Sequence, residues 1–567
     1  MHADISIPAP WNHWSQAEEK RRRIRRGLRG HVRVGHCFCA VTHHQFLTTD
    51  LMLIPNLLES TAGRFPNKDA LWYKQEWMTY AQLETYANRL ARALRKLGVK
   101  QCDRVALLYE NSFHYVIAHF AIFKAGAVSV SLNTETSAQS LAYLLHDCEA
   151  KAIFAAGKYL PLLAQTEAQL SHLEHVFTDR DALAFPPGFT RLRAAAIEDL
   201  WSQGPGDPPS CEVREADLGS LVYTSGSTAK PKGVMLSHQN LVSNAQAVLQ
   251  YMQLTPEDRV LCVLPFYYIY GTSLLYTHFA AGGSVVIENR FAYPNVALDT
   301  LEKTAASGFA GVPSTFAILL TKSTLRRRVF PSLRYVTQAG GAMAPALQKE
   351  VAEAFQPARL FIMYGCTEAA PRLTYLEPEA LPLKWGSIGK AVPGVEVIVA
   401  DERGNRLPPG KTGEIAARGP NIMMGYWKDP QATAEAIRNG WYFTGDLGRE
   451  DEEGYLFVVG RSKDMIKTAG NSVSAQEIEE VLMELEGVSE AAVIGIPDAI
   501  LGEGIKVFVV PKPGRALDPE AIKAKLKIRL PVFKQPAWIE VRDDLPKSVA
   551  GKVLKTILRD EACSSLG

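Results

Sequence analysis

The hydrophobic and polar positions between residues 52 and 385 follow two periods, one typical of buried strands and the other of helices. The runs "RVALLY" and "AVSVSLN" have the length of buried strands, and they flank "NSFHYVIAHFAIFKAG", a helical stretch closed by Gly126. "AKAIFAA", "SVVIEN", "LRYVTQAGG" and "ARLFIMYG" are further short runs near helical patterns. Repeated strand–helix units predict an α/β fold with parallel sheets covered by helices.

The chain after residue 385 has a different pattern. Residues 386–460 are rich in glycine, proline and short strand-like runs such as "VEVIVADERGN" and "GEIAARG", which predicts a β-rich subdomain. After Arg461, "SAQEIEEVLMEL" places four apolar residues on one helical face. The strand-like runs "AAVIGI" and "KVFVV" and a further helix follow. We therefore predict a small α+β domain at the C-terminal end.

These patterns divide the chain into a leader at 1–51, a large core at 52–460 and a C-terminal domain at 461–567. The leader contains the basic run "EEKRRRIRRGLRGHVR", and we expect it to be disordered or to result from a misplaced start site, with Met52 as the natural first residue. A mitochondrial leader is an alternative that its acidic residues disfavour.

Charge and cysteine usage restrict the function classes. The chain has 62 basic and 60 acidic residues, of which residues 1–51 hold 8 basic and 4 acidic ones. The remainder of the chain therefore holds 54 basic and 56 acidic residues. This balance argues against a nucleic-acid partner. The eight cysteines include no C-x-x-C pair, which favours a reduced, cytoplasmic location. No apolar run approaches the roughly 18 residues that span a bilayer, although peripheral membrane contact remains compatible with the sequence.

The segment "YTSGSTAKPKGV" (223–234) has the composition of a phosphate-binding loop, with four hydroxyl side chains, a central glycine and two lysines. It does not fit the G-x-x-x-x-G-K-[ST] pattern, because its lysines precede its last glycine. A plain surface loop is the alternative. The apolar run "LGSLVY" before it and a helix beginning near His238 favour the phosphate-binding interpretation.

Five motifs in order resemble those of the AMP-forming acyl-adenylating superfamily, which includes acyl-CoA synthetases, aryl-CoA ligases and luciferases. They are "YTSGSTAKPKGVMLSH" (223–238), "MYGCTE" (363–368), "GWYFTGDLG" (440–448), "GRSKDMIKTAGNSVSAQEIE" (460–479) and "PKSVAGKVLK" (546–555). The resemblance spans about residues 52–560. It implies that a carboxylate attacks the α-phosphate of ATP to give acyl-AMP and pyrophosphate, and that a thiol, usually of CoA, then displaces AMP.

The resemblance also implies roles for individual residues. The implied nucleotide-binding residues are Thr224, Ser225, Gly226, Ser227, Thr228, Lys232, Gly340, Gly341, Ala342, Tyr364, Gly365, Thr367, Asp446, Arg461 and Lys552. Lys552, Thr367 and Glu368 are the implied catalytic residues, and Glu368 is the implied ligand of Mg²⁺. The C-terminal domain is implied to be mobile, with a hinge at Lys463 and a CoA-facing side at Lys467 and Gly470.

The acid is the least determined part of the sequence interpretation. The acyl pocket is predicted around Tyr268, Gly271, Gly311 and Cys366. Because "PFYYIYG" (265–271) has no aspartate, an α-amino acid is disfavoured, and medium- or long-chain fatty acids are preferred over aryl acids. Arg372 could face a second polar group of the acid, but such an arginine is more often structural or solvated. Two further alternatives are an acyl-AMP ligase that loads a separate carrier protein and a silent acyl- or nucleotide-binding relative.

Two positions depart from the superfamily pattern. Ala229 stands where glycine is usual, which costs about 1 kcal/mol if the backbone there has a positive φ. Tyr268 stands where histidine is frequent, at the predicted acyl pocket.

Overall fold

The structure is a computed structural model that describes residues 53–184, 188–224, 231–468, 470–498, 500–547 and 553–564. The predicted leader at 1–51 lies outside these residues.

The strands are numbered in chain order. They are β1 Asp69–Tyr73, β2 Glu76–Thr79, β3 Arg104–Leu108, β4 Val128–Ser131, β5 Ala152–Ala155, β6 His175–Thr178, β7 Ala194–Ala196, β8 Leu218–Thr224, β9 Lys232–Ser237, β10 Arg259–Cys262, β11 Ser284–Ile287, β12 Gly308–Gly311, β13 Tyr335–Gln338, β14 Arg359–Tyr364, β15 Thr374–Leu376, β16 Lys390–Ala391, β17 Glu396–Ala400, β18 Thr412–Arg418, β19 Gly425–Tyr426, β20 Ile437–Arg438, β21 Trp441–Glu450, β22 Leu456–Arg461, β23 Met465–Thr468, β24 Asn471–Ser474, β25 Val488–Asp498, β26 Gly502–Pro511 and β27 Trp538–Val541.

The α-helices are numbered in the same way. They are α1 Ile54–Arg64, α2 Tyr80–Lys96, α3 Phe113–Lys124, α4 Ala138–Asp147, α5 Leu160–Thr166, α6 Ile197–Trp201, α7 His238–Met252, α8 Ile269–Ala281, α9 Pro294–Lys303, α10 Pro313–Lys322, α11 Pro345–Ala354, α12 Pro430–Ala436, α13 Ala475–Met483, α14 Pro519–Arg529 and α15 Lys555–Ser564.

Two large, mainly parallel sheets form the first part of the fold. One has nine strands in the order β16-β15-β14-β13-β12-β10-β11-β1-β2, and the other has eight in the order β19-β9-β8-β4-β3-β5-β6-β7. Only strands at the edges of these sheets pair antiparallel, namely β15, β16 and β2 in the first, and β9 and β19 in the second. The predicted α/β fold of parallel sheets is confirmed.

A shared core lies between the two large sheets. Val260 and Cys262 of β10 face this core, whereas Leu261 between them faces the outer layer of helices. This alternation follows from the two-residue period of a strand. The helices α3 and α8 in the shared core are buried almost all round, which explains why their sequences are apolar on every face.

The later part of the chain forms two smaller sheets. Strands β17, β18, β21, β20 and β22 pair antiparallel, which confirms the β-rich character predicted for residues 386–460. Strands β24, β23, β26, β25 and β27 form the other sheet, with α13 and α14 packed on it. The third sheet ends at Arg461 and the fourth begins at Met465, so the predicted boundary at 460/461 falls at the last residue of β22, just before the link between the two sheets. The boundary itself stays a prediction.

Helix starts follow from local side-chain chemistry. Ser237 caps α7, because its hydroxyl accepts the backbone N–H of Asn240 at 3.1 Å. The hydroxyl of Ser474 accepts the N–H of Glu477 at 3.2 Å and caps α13 in the same way. None of the helices in the described segments is long and apolar enough to cross a membrane.

Candidate active site

Several predicted site residues lie where parallel strands end. The strands β8, β13 and β14 end at Thr224, Gln338 and Tyr364, just before or within the phosphate-loop, "QAGGA" and "MYGCTE" segments. Ligands of parallel α/β sheets bind beyond the carboxyl ends of the strands. The topology therefore gives these three segments the position that a ligand site needs.

Asp446 lies at the centre of a small hydrogen-bonded group. Tyr364 donates its hydroxyl to Oδ2 of Asp446 at 2.6 Å, and Nε of Arg461 lies 2.9 Å from Oδ1. Burial, and then the charge of Asp446, raise the pKa of Tyr364 well above its usual value, so this hydroxyl remains a donor. The same carboxylate raises the pKa of Arg461. Asp446 is thus oriented from both sides.

Backbone irregularity sets the direction of Asp446. The preceding residue, Gly445, has a φ of 76°, a left-handed conformation that glycine adopts without strain. The pairing of β21 with β18 and with β22, two of its three neighbours, changes register close to this point. A bulge of this kind re-aims a side chain within a strand. Asp446 lies inside the ten-residue strand β21, next to these irregularities.

Glu368 and Lys232 are connected through Tyr426. The Tyr426 hydroxyl donates to Oε1 of Glu368 at 3.0 Å, and Nζ of Lys232 lies 5.0 Å from the centroid of the Tyr426 ring. Thr224 pairs with Lys232 across β8 and β9, so the two ends of the predicted phosphate loop are adjacent. A carboxylate, a cation and a ring therefore meet at this loop. Thr367, next to Glu368, is buried.

Tyr426 was not predicted from the sequence. It lies 58 residues from Glu368 and belongs to the two-residue strand β19, which pairs with β9. No local pattern marks such a contact, because it depends on pairing between distant strands.

The glycine segment after β13 contacts the residue predicted to line the acyl pocket. Gly340 has a φ of 85°, and a Cβ placed there would lie 3.0 Å from the hydroxyl oxygen of Tyr268. Nε2 of Gln338 donates to the carbonyl of Gly341 at 2.8 Å, which fixes the turn. Gly341 and Ala342 are exposed. The predicted nucleotide and acyl segments are thus neighbours.

Three of the predicted glycines are required by close packing. A Cβ on Gly271 would lie 2.2 Å from the carbonyl oxygen of Pro265, and one on Gly365 would lie 1.9 Å from that of Pro371. A Cβ on Gly311 would lie 3.0 Å from a neighbouring phenylalanine ring. The structure thus explains Gly271 and Gly365 by contacts with backbone carbonyls and Gly311 by contacts with side chains, and the direct part of all three in ligand binding stays a prediction.

Cys366 is half-buried, and its Sγ lies 3.5 Å from the hydroxyl oxygen of Tyr442. Burial raises the pKa of the Cys366 thiol well above its usual value. A protonated thiol is a poor nucleophile, so this cysteine fits a pocket wall rather than a reacting group.

The hinge and CoA-side residues lie at the start of the fourth sheet. Lys463 belongs to the short turn Ser462–Asp464, and the backbone N–H of Lys467 donates to Oε2 of Glu503 at 2.6 Å. Gly470 has a φ of 77°, and no atom lies within 4 Å of a Cβ placed there. Their proposed roles stay predictions.

Part of the predicted site falls outside the described residues. This applies to four residues of the phosphate loop, to Ala229 and to the predicted catalytic lysine: Ser225, Gly226, Ser227, Thr228, Ala229 and Lys552.

A cavity of about 560 Å³ lies elsewhere, beside the second sheet, and is bordered by Glu110, Lys158 and Asp179. Nearby, within the described ranges, His114 and Glu198 join Asp179 in a group whose potential metal-ligating atoms lie within 4.8 Å of one another. Nε2 of His114 is already 2.8 Å from Oε1 of Glu198. None of the predicted site residues borders this cavity, so cavity size alone does not locate the chemistry.

Two family profiles match the chain. The profile described as AMP-binding enzyme matches residues 58–427, and the profile described as AMP-binding enzyme C-terminal domain matches residues 477–552. This chain belongs to the AMP-binding enzyme family. The superfamily inferred from the five motifs is confirmed.

Known relatives define the reaction type. A long-chain-fatty-acid–CoA ligase of Escherichia coli O6:H1 is 34% identical, over 89% of this chain and 94% of the relative. An indoleacetate–CoA ligase of Aromatoleum aromaticum is 32% identical, over 90% of this chain and 98% of the relative. A crystal structure of an anthranilate–CoA ligase with anthranoyl-AMP superimposes with a TM-score of 0.83 at 28% identity. The superposition covers 91% of this chain and 98% of the anthranilate–CoA ligase chain. The family member described here is an AMP-forming acid–thiol ligase of the acyl-CoA synthetase type, with ATP and CoA as substrates.

Proposed function

We propose that this acyl-CoA synthetase acts on an acid with an apolar body, with aliphatic chains of medium to long length preferred over aryl acids. The polar group around Asp446 next to the strand ends, with Tyr268 against the glycine segment, is the observation that carries the proposal. The relatives named above act on a long-chain fatty acid and on indoleacetate, so both substrate types occur at this level of similarity.

The nucleotide side has the donors and acceptors that ATP needs. Asp446 would accept the ribose hydroxyls, with Arg461 assisting, and Tyr364 would lie against the adenine. Gly340, Gly341, Ala342 and Gly365 would allow the backbone to approach the nucleotide closely. Lys232 and the loop residues Thr224, Ser225, Gly226, Ser227 and Thr228 would hold the β- and γ-phosphates, and Thr367 would donate to the α-phosphate.

The Glu368 carboxylate fits a magnesium ion. Mg²⁺ prefers carboxylate and phosphate oxygens, and the Glu368 side chain is oriented by Tyr426 beside the phosphate loop. When bound, the ion would neutralise phosphate charge. Lys232 lies near the same ring and would add a second positive charge.

The first half-reaction brings two anions together. The carboxylate oxygen of the acid attacks the α-phosphorus, the bond to the bridging oxygen breaks, and pyrophosphate leaves. Lys552 would contact the acid carboxylate and the α-phosphate, where charge builds up in the transition state. In the second half-reaction the CoA sulfur attacks the acyl carbonyl and AMP leaves. Between the steps the C-terminal domain would turn at Lys463 and bring Lys467 and Gly470 to the CoA.

A screen for pyrophosphate release tests this function. The full chain would be supplied with ATP, Mg²⁺ and a panel of straight-chain, branched and aromatic acids, with and without CoA. We expect release with apolar acids and thioester formation only when CoA is present. Activity only with an acyl carrier protein would favour the carrier-loading alternative. No release with any acid would favour a silent binding relative.

Lys552→Ala provides the residue-level test. We expect pyrophosphate exchange to fall by at least about 100-fold, because charge on the α-phosphate loses its counter-ion. Thioester formation from supplied acyl-AMP should be retained. Lys555→Ala is the matched control, since Nζ of Lys555 is already paired with Glu479 at 2.7 Å. Equal exchange in the two variants would contradict the role of Lys552.

A further inference from the structure

Arg372 is a buried cation without a carboxylate partner. It is only 2% exposed, and no described carboxylate forms an ion pair with it. Its Nε is buried and makes no hydrogen bond. A guanidinium keeps its charge under all physiological conditions, and buried charges in proteins are normally paired. Arg372 therefore departs from the rule and requires an explanation.

The Arg372 side chain packs against the helix that begins at the predicted acyl pocket. Nη1 donates to Oγ of Ser273 at 2.5 Å, and the guanidinium carbon lies 4.4 Å from the centroid of the Tyr270 ring. Both partners lie on α8, which also contains Gly271 and is preceded by Tyr268. Arg372 itself follows Cys366 by six residues. The unpaired charge thus belongs to the acyl side of the site.

The neighbouring phenols do not neutralise this charge. Burial raises the pKa of Tyr270 to about 12, although the Arg372 guanidinium opposes the shift. Burial likewise raises the pKa of Tyr251, which also lies near Arg372. Both side chains therefore stay neutral at physiological pH. A ring face and the hydroxyls of Ser273 and Tyr251 are the contacts that remain, and none of them carries a full negative charge.

The backbone at Arg372 is fixed by two buried asparagines. The Nδ2 groups of Asn244 and Asn421 each donate to the carbonyl oxygen of Arg372 at 2.9 Å. The side chain therefore projects from a rigid point, and a ligand that met the guanidinium would meet it in a defined place. This anchoring is what a recognition residue needs.

We propose that Arg372 binds a second carboxylate at the far end of the acid, so that the substrate is a dicarboxylic acid with an apolar body. This inference rests on the proposed acyl-CoA synthetase function and identifies the substrate class of the same site. A carboxylate matches the planar fork of a guanidinium and can accept two parallel hydrogen bonds, including one from Nε. The apolar body of such an acid would lie along Tyr268 and Cys366.

A purely structural arginine is the competing explanation. Such an arginine would have its donors satisfied by the protein, as in the pair between Arg334 and Asp258. The buried and unpartnered Nε of Arg372 does not fit that pattern. A neutral acceptor on the substrate, such as a hydroxyl, would satisfy the donor but would leave the charge unbalanced. A second carboxylate is favoured because it would accept the hydrogen bond from Nε and would also balance the charge of the guanidinium.

The test compares acids that differ only at the far end. The full-length enzyme is assayed for pyrophosphate release and acyl-CoA formation with straight-chain monocarboxylic acids, dicarboxylic acids of the same length, their monomethyl esters and the ω-hydroxy acids. We expect kcat/KM for the preferred dicarboxylic acid to exceed that for the matched monocarboxylic acid by at least about 100-fold, because the latter leaves a buried charge unpaired.

Arg372→Met should reverse this preference, because it replaces the guanidinium by an apolar side chain of similar length. Arg372→Lys keeps the charge without the planar fork, so the preference for the diacid should shrink but remain. Arg359→Met is the matched control, since Arg359 is an exposed arginine already paired with Glu379, and it should leave the ratio unchanged. If Arg372→Met does not fold, the Arg372→Lys ratio decides the question.

The outcomes separate the inference from the function on which it rests. No pyrophosphate release with any acid would remove the proposed function. Release with monocarboxylic acids at a rate equal to that with diacids, and a ratio unchanged in both Arg372 variants, would overturn the inference and leave the function intact. A preference for the ester or the hydroxy acid over the diacid would also overturn it, because the bound group would then be neutral.

Discussion

Two arginines, Arg461 on the proposed nucleotide side and Arg372 on the proposed acyl side, differ in how the protein balances their charge. The Arg461 side chain is 60% exposed, and its Nε lies 2.9 Å from the Asp446 carboxylate. Arg372 is 2% exposed and has no described carboxylate partner. Solvent would stabilise the first charge even without its partner. The Arg372 charge is buried away from solvent, so neither water nor a described carboxylate stabilises it.

This difference indicates two ways of preparing a site for a ligand. The Arg461 side chain is exposed, whereas the Asp446 carboxylate is buried and also accepts a hydrogen bond from Tyr364, so Arg461 would be able to give up this contact to ribose hydroxyls while Asp446 keeps a second donor. A buried, unpaired charge is unfavourable in the free protein and becomes favourable only when an anion arrives. On the nucleotide side, the ligand would therefore replace a partner that the protein already supplies. On the acyl side, the ligand would supply the partner that Arg372 lacks.

Removal of the shared carboxylate should have the largest effect on the nucleotide side. In Asp446→Ala the ribose would lose its proposed acceptor, and both Tyr364 and Arg461 lose their partner. We expect kcat/KM for ATP in pyrophosphate release to fall by about 100- to 1,000-fold, comparable with the removal of a preorganised polar group from an active site. The measurement is the ATP dependence of pyrophosphate release at a saturating acid concentration.

Glu450→Gln is the control for this variant. Glu450 lies on the same strand and pairs with Arg406 at 2.8 Å, away from the predicted site. Its kcat/KM should stay close to that of the wild type. A loss of less than about 10-fold in Asp446→Ala would mean that Asp446 is mainly structural, because a buried charged hydrogen bond alone is worth about that much.

Measurements of the free energy of unfolding extend the comparison to a third arginine, Arg334. Its Nη2 lies 2.5 Å from Oδ2 of Asp258, whose side chain is 3% exposed. Arg334→Met should lower the free energy of unfolding by about 2 kcal/mol, because it leaves a buried carboxylate without its cation. Arg372→Met should cause no loss, since it removes an unpaired charge. Urea unfolding of the two variants compares these effects, and a loss in Arg372→Met equal to that in Arg334→Met would make Arg372 structural.

The pH dependence of Arg334→Met gives an independent readout. Burial acts to raise the pKa of Asp258, but hydrogen bonds from Arg334 and from the N–H of Thr255 outweigh it and hold the pKa below its usual value. A depressed pKa means that Asp258 stabilises the fold above its unfolded-state pKa and that this contribution is lost as the pH falls. Without Arg334, the acid-induced loss of stability should begin at a higher pH.

The sequence was sufficient for the main lines of the fold and for the class of reaction. Strand ends at Thr224, Gln338 and Tyr364 could be expected because apolar runs stop there and small or polar residues follow. The same reasoning did not find β9 at Lys232–Ser237, where only a loop running into a helix was expected. This strand is stabilised by pairing with β8 and β19 rather than by an apolar pattern of its own.

The charge balance within the site could not be predicted. The sequence left Arg372 open between a polar contact with the substrate, a structural role and a solvated position, and its 2% exposure excludes the last of these. The absence of a partner becomes visible only when its neighbours Ser273 and Tyr270, about a hundred residues away in the chain, are in place. Such properties depend on the full set of tertiary neighbours, whereas motif residues such as Asp446 carry their signal locally.

Tyr364→Phe should have the smallest effect. This variant distinguishes the contribution of the Tyr364 ring from that of its hydroxyl. The variant removes the 2.6 Å hydrogen bond to Asp446 but keeps the aromatic surface. We expect KM for ATP to rise by about 5-fold, equivalent to one hydrogen bond of about 1 kcal/mol, while kcat stays nearly constant. Tyr375→Phe is a control on the neighbouring strand, since its ring stacks on Tyr251. An effect of Tyr364→Phe as large as that of Asp446→Ala would mean that Arg461 alone cannot orient the carboxylate. The pair of Asp446 and Arg461 would then depend on a buried donor, and the two sides of the proposed site would be more alike than the exposure of their arginines suggests.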